Sequence, residues 1–315
     1  MSATQIQMEE VHCPLGCSQG DALVVTAPER LHNLPGSFQV VRCRQCGLMR
    51  TNPRPHMNSL YMYYPDNYGP YESTRVQSAS TTARSASRLR TVFKNFVNAN
   101  SQCMPPVTPG RLLEIGCASG AFLHAMAQKG WNVEGIEFSD KAANAARQLG
   151  YAVQVGTIES APAPEKPYDA IVGWMVFEHL QNPVQCLRKL RSWVKPESCL
   201  VLSVPDGGSW EFKLFGDAWY ALQLPTHLFH FTPSTLRTVL YAGGWRVERI
   251  FWHNDPKNLL HSLRYRCLER GWSRSGALLL DIAEGRRFRA GRLLIGRLLG
   301  LLRSSGRMTV WARPV

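Results

Sequence analysis

The chain has 315 residues, 44% of them hydrophobic, and it carries 36 Lys and Arg against 23 Asp and Glu. That is enough apolar material for one sizeable core with something smaller beside it, and it excludes global disorder. The surplus charge is uneven, at +4 over residues 1–100, zero over 101–254 and +9 over 255–315, so a basic catalytic face built to grip nucleic acid is disfavoured.

No basic-then-apolar leader opens the sequence, and no run reaches the length of a membrane span, so a cytoplasmic protein is expected. Nine cysteines in such a compartment point to metal or free thiols and not to a disulfide framework. Four of them form two knuckles, Cys13-Pro-Leu-Gly-Cys17 and Cys43-Arg-Gln-Cys46-Gly47, separated by 25 residues. Short strands are expected between them at 22–26 and 38–42. Four thiolates on paired turns would close a tetrahedral structural Zn2+ site and supply folding energy that a module of residues 1–55 otherwise lacks. The layout resembles a zinc ribbon. Its first knuckle is C-x-x-x-C and not C-x-x-C, which leaves His12 as a substitute ligand.

Residues 56–100 follow as an aromatic segment (Tyr61-Met-Tyr-Tyr-Pro65, Tyr68, Tyr71), a Ser/Thr/Ala-rich linker over 73–87 and an amphipathic lead-in helix over 88–98. The aromatic residues are expected to pack the small module onto the main domain. The main domain is expected over 101–254 and 307–315. It opens on Arg111-Leu-Leu-Glu-Ile115, which reads as a buried strand. A tight loop over Gly116, Cys117, Ala118, Ser119 and Gly120 follows, and then a helix from Ala121. Such a loop aims backbone N–H groups and a helix N-terminus at an anionic ligand group. A second strand over 131–138 ends in Glu137 and Phe138, and a carboxylate there can accept bonds from two ribose hydroxyls. A third strand at 151–155 exits through Gly156-Thr-Ile158-Glu159, and a fourth at 169–174 ends in Trp174. Helix over 187–194 and a fifth strand over 199–204 come next. His227 and His230 precede a helix beginning at Thr232-Pro233, and strands over 245–251 and 308–313 close the domain. Strand–helix alternation of this kind specifies an α/β, doubly wound Rossmann-like sheet with ligands at the C-terminal strand ends.

Glu114 two before Gly116, the G-x-x-x-G loop and Glu137 together resemble class I S-adenosylmethionine-dependent methyltransferases. The segment Glu178-His179-Leu-x-x-Pro183 and the segment "PxHLxHFTPxTL" at 225–236 resemble the subfamily acting on small molecules. The resemblance implies a seven-stranded sheet with its last strand antiparallel. It implies S-adenosyl-L-methionine held by Glu114, Gly116, Cys117, Ala118, Gly120, Glu137, Phe138, Ile158, Glu159 and Trp174. It also places His179, His227 and His230 beside the acceptor as candidate bases, since an imidazole with a near-neutral pKa suits proton removal from a hydroxyl. Ala118 stands where the family usually has glycine; its methyl is harmless at negative φ and crowds the ligand at positive φ.

Residues 255–306 interrupt this domain. Leucines there alternate with Arg286, Arg289, Arg292, Arg297 and Arg303 at helical spacing. A cationic amphipathic helix results, suited either to peripheral contact of 286–303 with an anionic membrane surface or to packing on protein. The expected activity is O-methylation of a small-molecule, sugar or lipid-linked acceptor, with no nucleic-acid partner favoured. Two other readings compete: an RNA methyltransferase gripping RNA with the ribbon, and a non-catalytic protein-binding module. The intact Glu114, Gly116, Gly120 and Glu137 disfavour the last.

Overall fold

Alternate residues of one strand, Leu112 against Leu113 and Ile115, are buried in two different apolar clusters. That division organises the molecule, a computed structural model describing residues 6–64, 105–253, 255–302 and 305–315. Tyr68, Tyr71, the linker over 73–87, the helix expected at 88–98 and Arg303 lie outside the described residues.

The N-terminal strands are β1 (Met8–Glu9), β2 (Asp21–Pro28), β3 (Ser37–Cys43), β4 (Met49–Thr51) and β5 (Arg54–Pro55), followed by the short helix α1 (Met57–Leu60). The central strands are β6 (Arg111–Ile115), β7 (Asn132–Glu137), β8 (Ala152–Val155), β9 (Tyr168–Trp174) and β10 (Val194–Pro205). Helices α2 (Ala121–Ala127), α3 (Asp140–Arg147) and α4 (Pro183–Arg191) alternate with them. After β10 come α5 (Trp210–Phe215), β11 (Phe229–His230), α6 (Pro233–Ala242) and β12 (Trp245–Trp252). Three further helices, α7 (Lys257–Glu269), α8 (Ser273–Glu284) and α9 (Arg289–Leu301), precede the last strand, β13 (Arg307–Pro314).

The main sheet has seven strands in the order β12-β13-β10-β9-β6-β7-β8. The pairs β10–β9, β9–β6, β6–β7 and β7–β8 are parallel, and β13 runs antiparallel to both β10 and β12. One face of the sheet, with Leu113, Ile115, Ile171, Leu200 and Leu202, packs on α4 and α6 through Leu187, Leu190, Leu236 and Val239. The other, with Leu112, Val172 and Val201, packs on α2 and α3 through Phe122, Leu123, Met126, Ala143 and Ala146. Strands buried on both faces carry apolar residues on consecutive positions, as β6 does at Leu112–Leu113 and β10 at Cys199–Leu202. The sheet and its antiparallel last strand agree with expectation. Caps explain where three helices begin: Ser139 accepts from Ala142 N–H, Asn182 from Gln185 N–H, and Thr232 forms a reciprocal pair with Thr235 ahead of Pro233.

The N-terminal strands do not stand apart from this domain. Strands β2, β3 and β4 continue into β11, a two-residue strand from the loop before α6, to form a four-stranded sheet. Thr51 N–H donates to Leu228 O at 3.0 Å, and Thr51 Oγ1 donates to His227 O at 2.7 Å. A third apolar cluster joins Phe38, Val40, Met49 and Tyr63 to Phe212, Phe215, Trp219 and Leu222. The buried Arg50 clamps Asp21 through two hydrogen bonds of 2.9 and 2.7 Å, fixing β4 against the start of β2.

Among the described residues no helix is long and apolar enough to cross a membrane. Helix α9 turns its apolar residues outward: Leu294, Leu298 and Leu301 are 63%, 54% and 80% exposed, while Gly296 and Leu299 face the protein. Arg292 is spent inward on the carbonyls of Ile282 and Gly285. The side chains of Arg286 and Arg289 lie outside the described set.

Candidate active site

The loop after β6 needs glycine at both ends. Gly116 has φ +67°, and a Cβ there would sit 2.4 Å from Val176 Cγ2; Gly120 has φ +82°, and a Cβ would sit 2.8 Å from Ala146 Cβ. Ala118 adopts φ +46°, the crowding alternative for its methyl group, and it is held there by Glu137, whose Oε2 accepts Ala118 N–H at 2.8 Å. Glu137 Oε1 accepts Ser139 N–H at 2.8 Å. Burial raises the Glu137 pKa, and these backbone donors work against it.

Above this loop lies a cavity of about 490 Å³ at the C-terminal ends of β6, β7 and β9. At one end Gly116, Ala118, Glu137, Phe138, Ile158, Glu159 and Trp174 line it. Ile158 is buried, and Trp174 stands edge-to-face on Phe122, ring centres 5.0 Å apart. Glu114, Cys117 and Gly120 are not in the wall. Glu114 and Cys117 are buried side chains beneath the loop, and Gly120 begins α2. Burial, then the Glu137 charge, pushes the Glu114 carboxyl well up, and its Oε2 has no hydrogen-bond partner.

At the other end the wall includes His179 and His227 together with Tyr220, Gln223 and Arg307. His179 Nδ1 lies 2.8 Å from Thr226 O and 2.9 Å from Tyr64 Oη; His227 Nδ1 lies 2.9 Å from Ala221 O. The two imidazoles meet edge to face with centres 4.7 Å apart. Burial lowers His179 to about 4 and holds His227 well below its usual range, so both are neutral at physiological pH. His230 does not reach the cavity. It belongs to β11, its Nε2 lies 3.3 Å from Thr51 Oγ1, and burial lowers it to about 3. Glu178 is fully buried, burial pushes it up to about 8, and neither carboxylate oxygen has a hydrogen-bond partner. With His179 and His227 it forms a group whose ligand atoms lie within 4.8 Å of one another. A third donor beside the loop histidines was not evident from sequence, because Glu178 is 49 residues away along the chain.

The N-terminal segment closes this end of the cavity with Leu31, His32, Met57, Leu60 and Tyr64. Of the aromatic segment, Tyr63 packs in the core as expected, while Tyr64 reaches the cavity. Sequence reading had no signal for Arg307, Gln223 or Met175; the last two, like Ala118, are non-glycine residues at positive φ, at +40° and +57°. Three non-glycine residues at positive φ thus surround one cavity, a concentration of backbone strain that makes it the candidate site.

Some distance off, Cys13, Cys17, Cys43 and Cys46 bring their sulfurs within 4.8 Å of one another, with Cys13 and Cys46 Sγ 3.5 Å apart. Tetrahedral zinc–thiolate geometry asks for sulfurs about 3.8 Å apart, so the donor set fits a structural Zn2+. Gly16 and Gly47, both at positive φ, turn the knuckles. Burial pushes the Cys43 thiol up, but N–H groups of Cys46 and Gln45 outweigh it and bring it down to about 7. The exposed His12 is not in the set.

Comparison with known proteins gives the same answer as the geometry. A family model described as a methyltransferase domain matches residues 86–250, just over half of the chain. The chain is 32% identical over 151 residues to a ubiquinone biosynthesis O-methyltransferase of Maricaulis maris, covering 44% of this chain and 59% of that protein. It is 32% identical over 154 residues to the Pseudomonas aeruginosa protein of the same name, covering 44% and 66%. The match thus spans less than two thirds of the length of either relative. Among solved structures, a chain of the complex between the Haloferax volcanii Trm112 methyltransferase activator and a methyltransferase superposes with a TM-score of 0.50 at 14% identity. That alignment covers 72% of this chain and 94% of the other. The parallel strands, the glycine loop braced by Glu137 and the family match lead to one assignment: the chain belongs to the class I S-adenosylmethionine-dependent methyltransferases.

Proposed function

We propose that the chain methylates a hydroxyl of a small, largely apolar acceptor, with S-adenosylmethionine at the Gly116–Glu137 end of the cavity and the acceptor at the His179–His227 end. The observation that carries this reading is the continuity of the two ends in one cavity. Bound S-adenosylmethionine supplies an already activated methyl group, so the protein chiefly positions, dries and deprotonates.

Glu137 keeps lone pairs on both oxygens after accepting its two backbone N–H groups, and these suit ribose hydroxyls. Ile158 offers an apolar face for adenine, and Trp174 offers a π face toward positive charge. Cys117, Glu114 and Gly120 act through the loop they underlie. At the other end, a carbonyl oxygen can only accept, so the contacts to Thr226 O and Ala221 O put the proton of each imidazole on Nδ1. That leaves Nε2 of both rings with a lone pair for a hydroxyl proton. His230 serves as a strand residue. The leucine- and isoleucine-lined walls suit an aromatic or lipid-linked acceptor better than a free sugar, and the outward leucines of α9 would then rest on an anionic lipid surface. The four cysteines hold a structural Zn2+.

Incubation with methyl-labelled S-adenosylmethionine and hydroxylated aromatic or prenylated acceptors tests the reaction. Transfer to oxygen should fall at least about 100-fold in His227→Ala, the span usual for an acid–base group, with S-adenosylmethionine affinity unchanged. Transfer to nitrogen or carbon acceptors alone would overturn the reading.

A further inference from the structure

Glu178 is a fully buried acid whose charge is offset only from a distance, by the Arg307 cation and the nearby backbone. Its carboxylate is fully inaccessible, and neither oxygen has a hydrogen-bond partner. Leaving a buried polar group unsatisfied costs about 1–3 kcal/mol, and more for a charged one. The backbone at this position is well tied, with Leu228 N–H donating to Glu178 O at 2.7 Å, so the side chain is aimed inward by a fixed turn. What it is aimed at is a pair of imidazoles. His227 Nε2 lies 4.0 Å from Glu178 Oε1, too far for a hydrogen bond, and His179 meets the same ring edge to face.

The two histidines are prepared for a particular partner. Each has Nδ1 committed to a backbone carbonyl, Thr226 O for His179 and Ala221 O for His227. Carbonyl contacts of this kind fix the tautomer, orient the ring and raise the basicity of the opposite nitrogen in metal-binding histidines. Tyr64 Oη, 2.9 Å from His179 Nδ1, adds a second orienting contact. One donor atom from each of Glu178, His179 and His227 lies within 4.8 Å of the others. Metal–ligand distances near 2.1 Å bring donors to about 3–4 Å apart, a contraction that side-chain rotation supplies.

We infer that Glu178, His179 and His227 form a second metal site, distinct from the four-cysteine cluster, that takes a first-row divalent transition ion such as Zn2+, Co2+ or Mn2+. Two imidazoles and one carboxylate suit such ions better than Mg2+ or Ca2+, which prefer oxygen donors throughout. Three protein ligands leave a position open, and because His179 and His227 also line the cavity, that position faces the acceptor end. A hydroxyl oxygen bound there would lose its proton more readily, as metal-bound water does. The inference rests on the proposed cavity assignment only for this last role; ion binding stands or falls by itself. Were the ion not to bind, the two lone pairs would remain available for direct proton removal.

The test is a Co2+ titration of the full chain with its cysteines already zinc-loaded, followed by calorimetry and visible absorption. Nitrogen and oxygen ligation gives weak ligand-field bands, whereas Co2+ exchanged into the cysteines adds strong thiolate charge-transfer bands. One further Co2+ per chain without thiolate bands is expected, weakened at least about tenfold in both Glu178→Gln and His227→Ala. Circular dichroism and S-adenosylmethionine binding establish that each variant is folded. Should a variant fail to fold, His179→Gln replaces it, and the wild-type titration already decides the main point. No Co2+ beyond the cysteine site, or binding unaffected by folded variants, overturns the inference.

Discussion

Glu137 Oε2 and the backbone N–H of Ala118 are joined across 19 residues by a 2.8 Å hydrogen bond that holds a non-glycine residue at φ +46°. A left-handed L-residue costs roughly 1–2 kcal/mol, and this one is tolerated because a buried carboxylate grips its amide. Ala118→Gly should therefore raise stability by about 1 kcal/mol, read as a higher urea midpoint with an unchanged slope. Glu137→Ala should do the opposite and also weaken S-adenosylmethionine binding at least about tenfold, since each charge-assisted bond is worth about 1.5–3 kcal/mol. Calorimetric affinity that does not change in a folded Glu137→Ala protein would remove Glu137 from the cofactor site.

The cysteine cluster should retain about one zinc per chain through gel filtration in the absence of added metal. Cys43→Ala and Cys46→Ala should each abolish that retention and lower the melting temperature, because metal binding to the folded chain adds to its stability. Retention of a full equivalent by both variants would place the zinc elsewhere.

Two buried groups contribute separately readable shares to opposite limbs of the stability profile. Burial pushes Glu211 up to about 7, so as pH rises from about 4.5 the unfolded chain ionises first and stability falls until about pH 7. Its share of the loss is on the order of 3 kcal/mol, and Glu211→Gln should remove that share while the Glu178 share remains. Burial lowers His253 to about 3, where Ser203 and Thr309 hold the neutral ring at 3.2 and 2.6 Å. Here the unfolded chain takes up the proton first as pH falls below about 6.5, and about 2 kcal/mol is lost by pH 5. Denaturant titrations at half-unit pH steps on Glu211→Gln and on His253→Gln, each against the unsubstituted chain, read the two shares separately.

Helix α9 carries Leu294, Leu298 and Leu301 on an outward face within a strongly basic region. Co-sedimentation with phosphatidylglycerol-containing vesicles should exceed that with neutral vesicles. It should fall by about tenfold when all three become Ser. Equal pelleting of the two proteins would assign the face to another protein surface.

Much of this architecture is legible in the sequence because the signals are local. Buried parallel strands announce themselves as largely apolar runs, caps as Ser139 and Thr232, and the loop as paired glycines whose added Cβ atoms would collide with Val176 and Ala146; the Asn182 cap goes unread, and the helix expected over 187–194 runs over Pro183–Arg191. The cavity's donor end follows from these, since strand ends carry Glu137, Ile158 and Trp174 to one place. The acceptor end does not. It is assembled from the turn at His179, the segment between α5 and β11, the start of β13 and Tyr64, whose adjacency is set by long-range pairing that no local pattern encodes. His227 and His230 illustrate the difference: three residues apart and alike in sequence, one lines the cavity and the other is consumed by a sheet edge. Helix α7 was equally hidden, because its apolar and basic residues do not separate into faces as those of α9 do.

The strand β4 begins three residues after Cys46 and ends at Thr51, whose hydroxyl and amide hold the main chain at His227 and Leu228. The thiols and His227 are therefore joined through one short strand. On the proposed assignment the linkage would work in both directions: whatever acceptor binding at His227 did to retention of an ion by the cysteines, the ion would do to acceptor binding by the same factor.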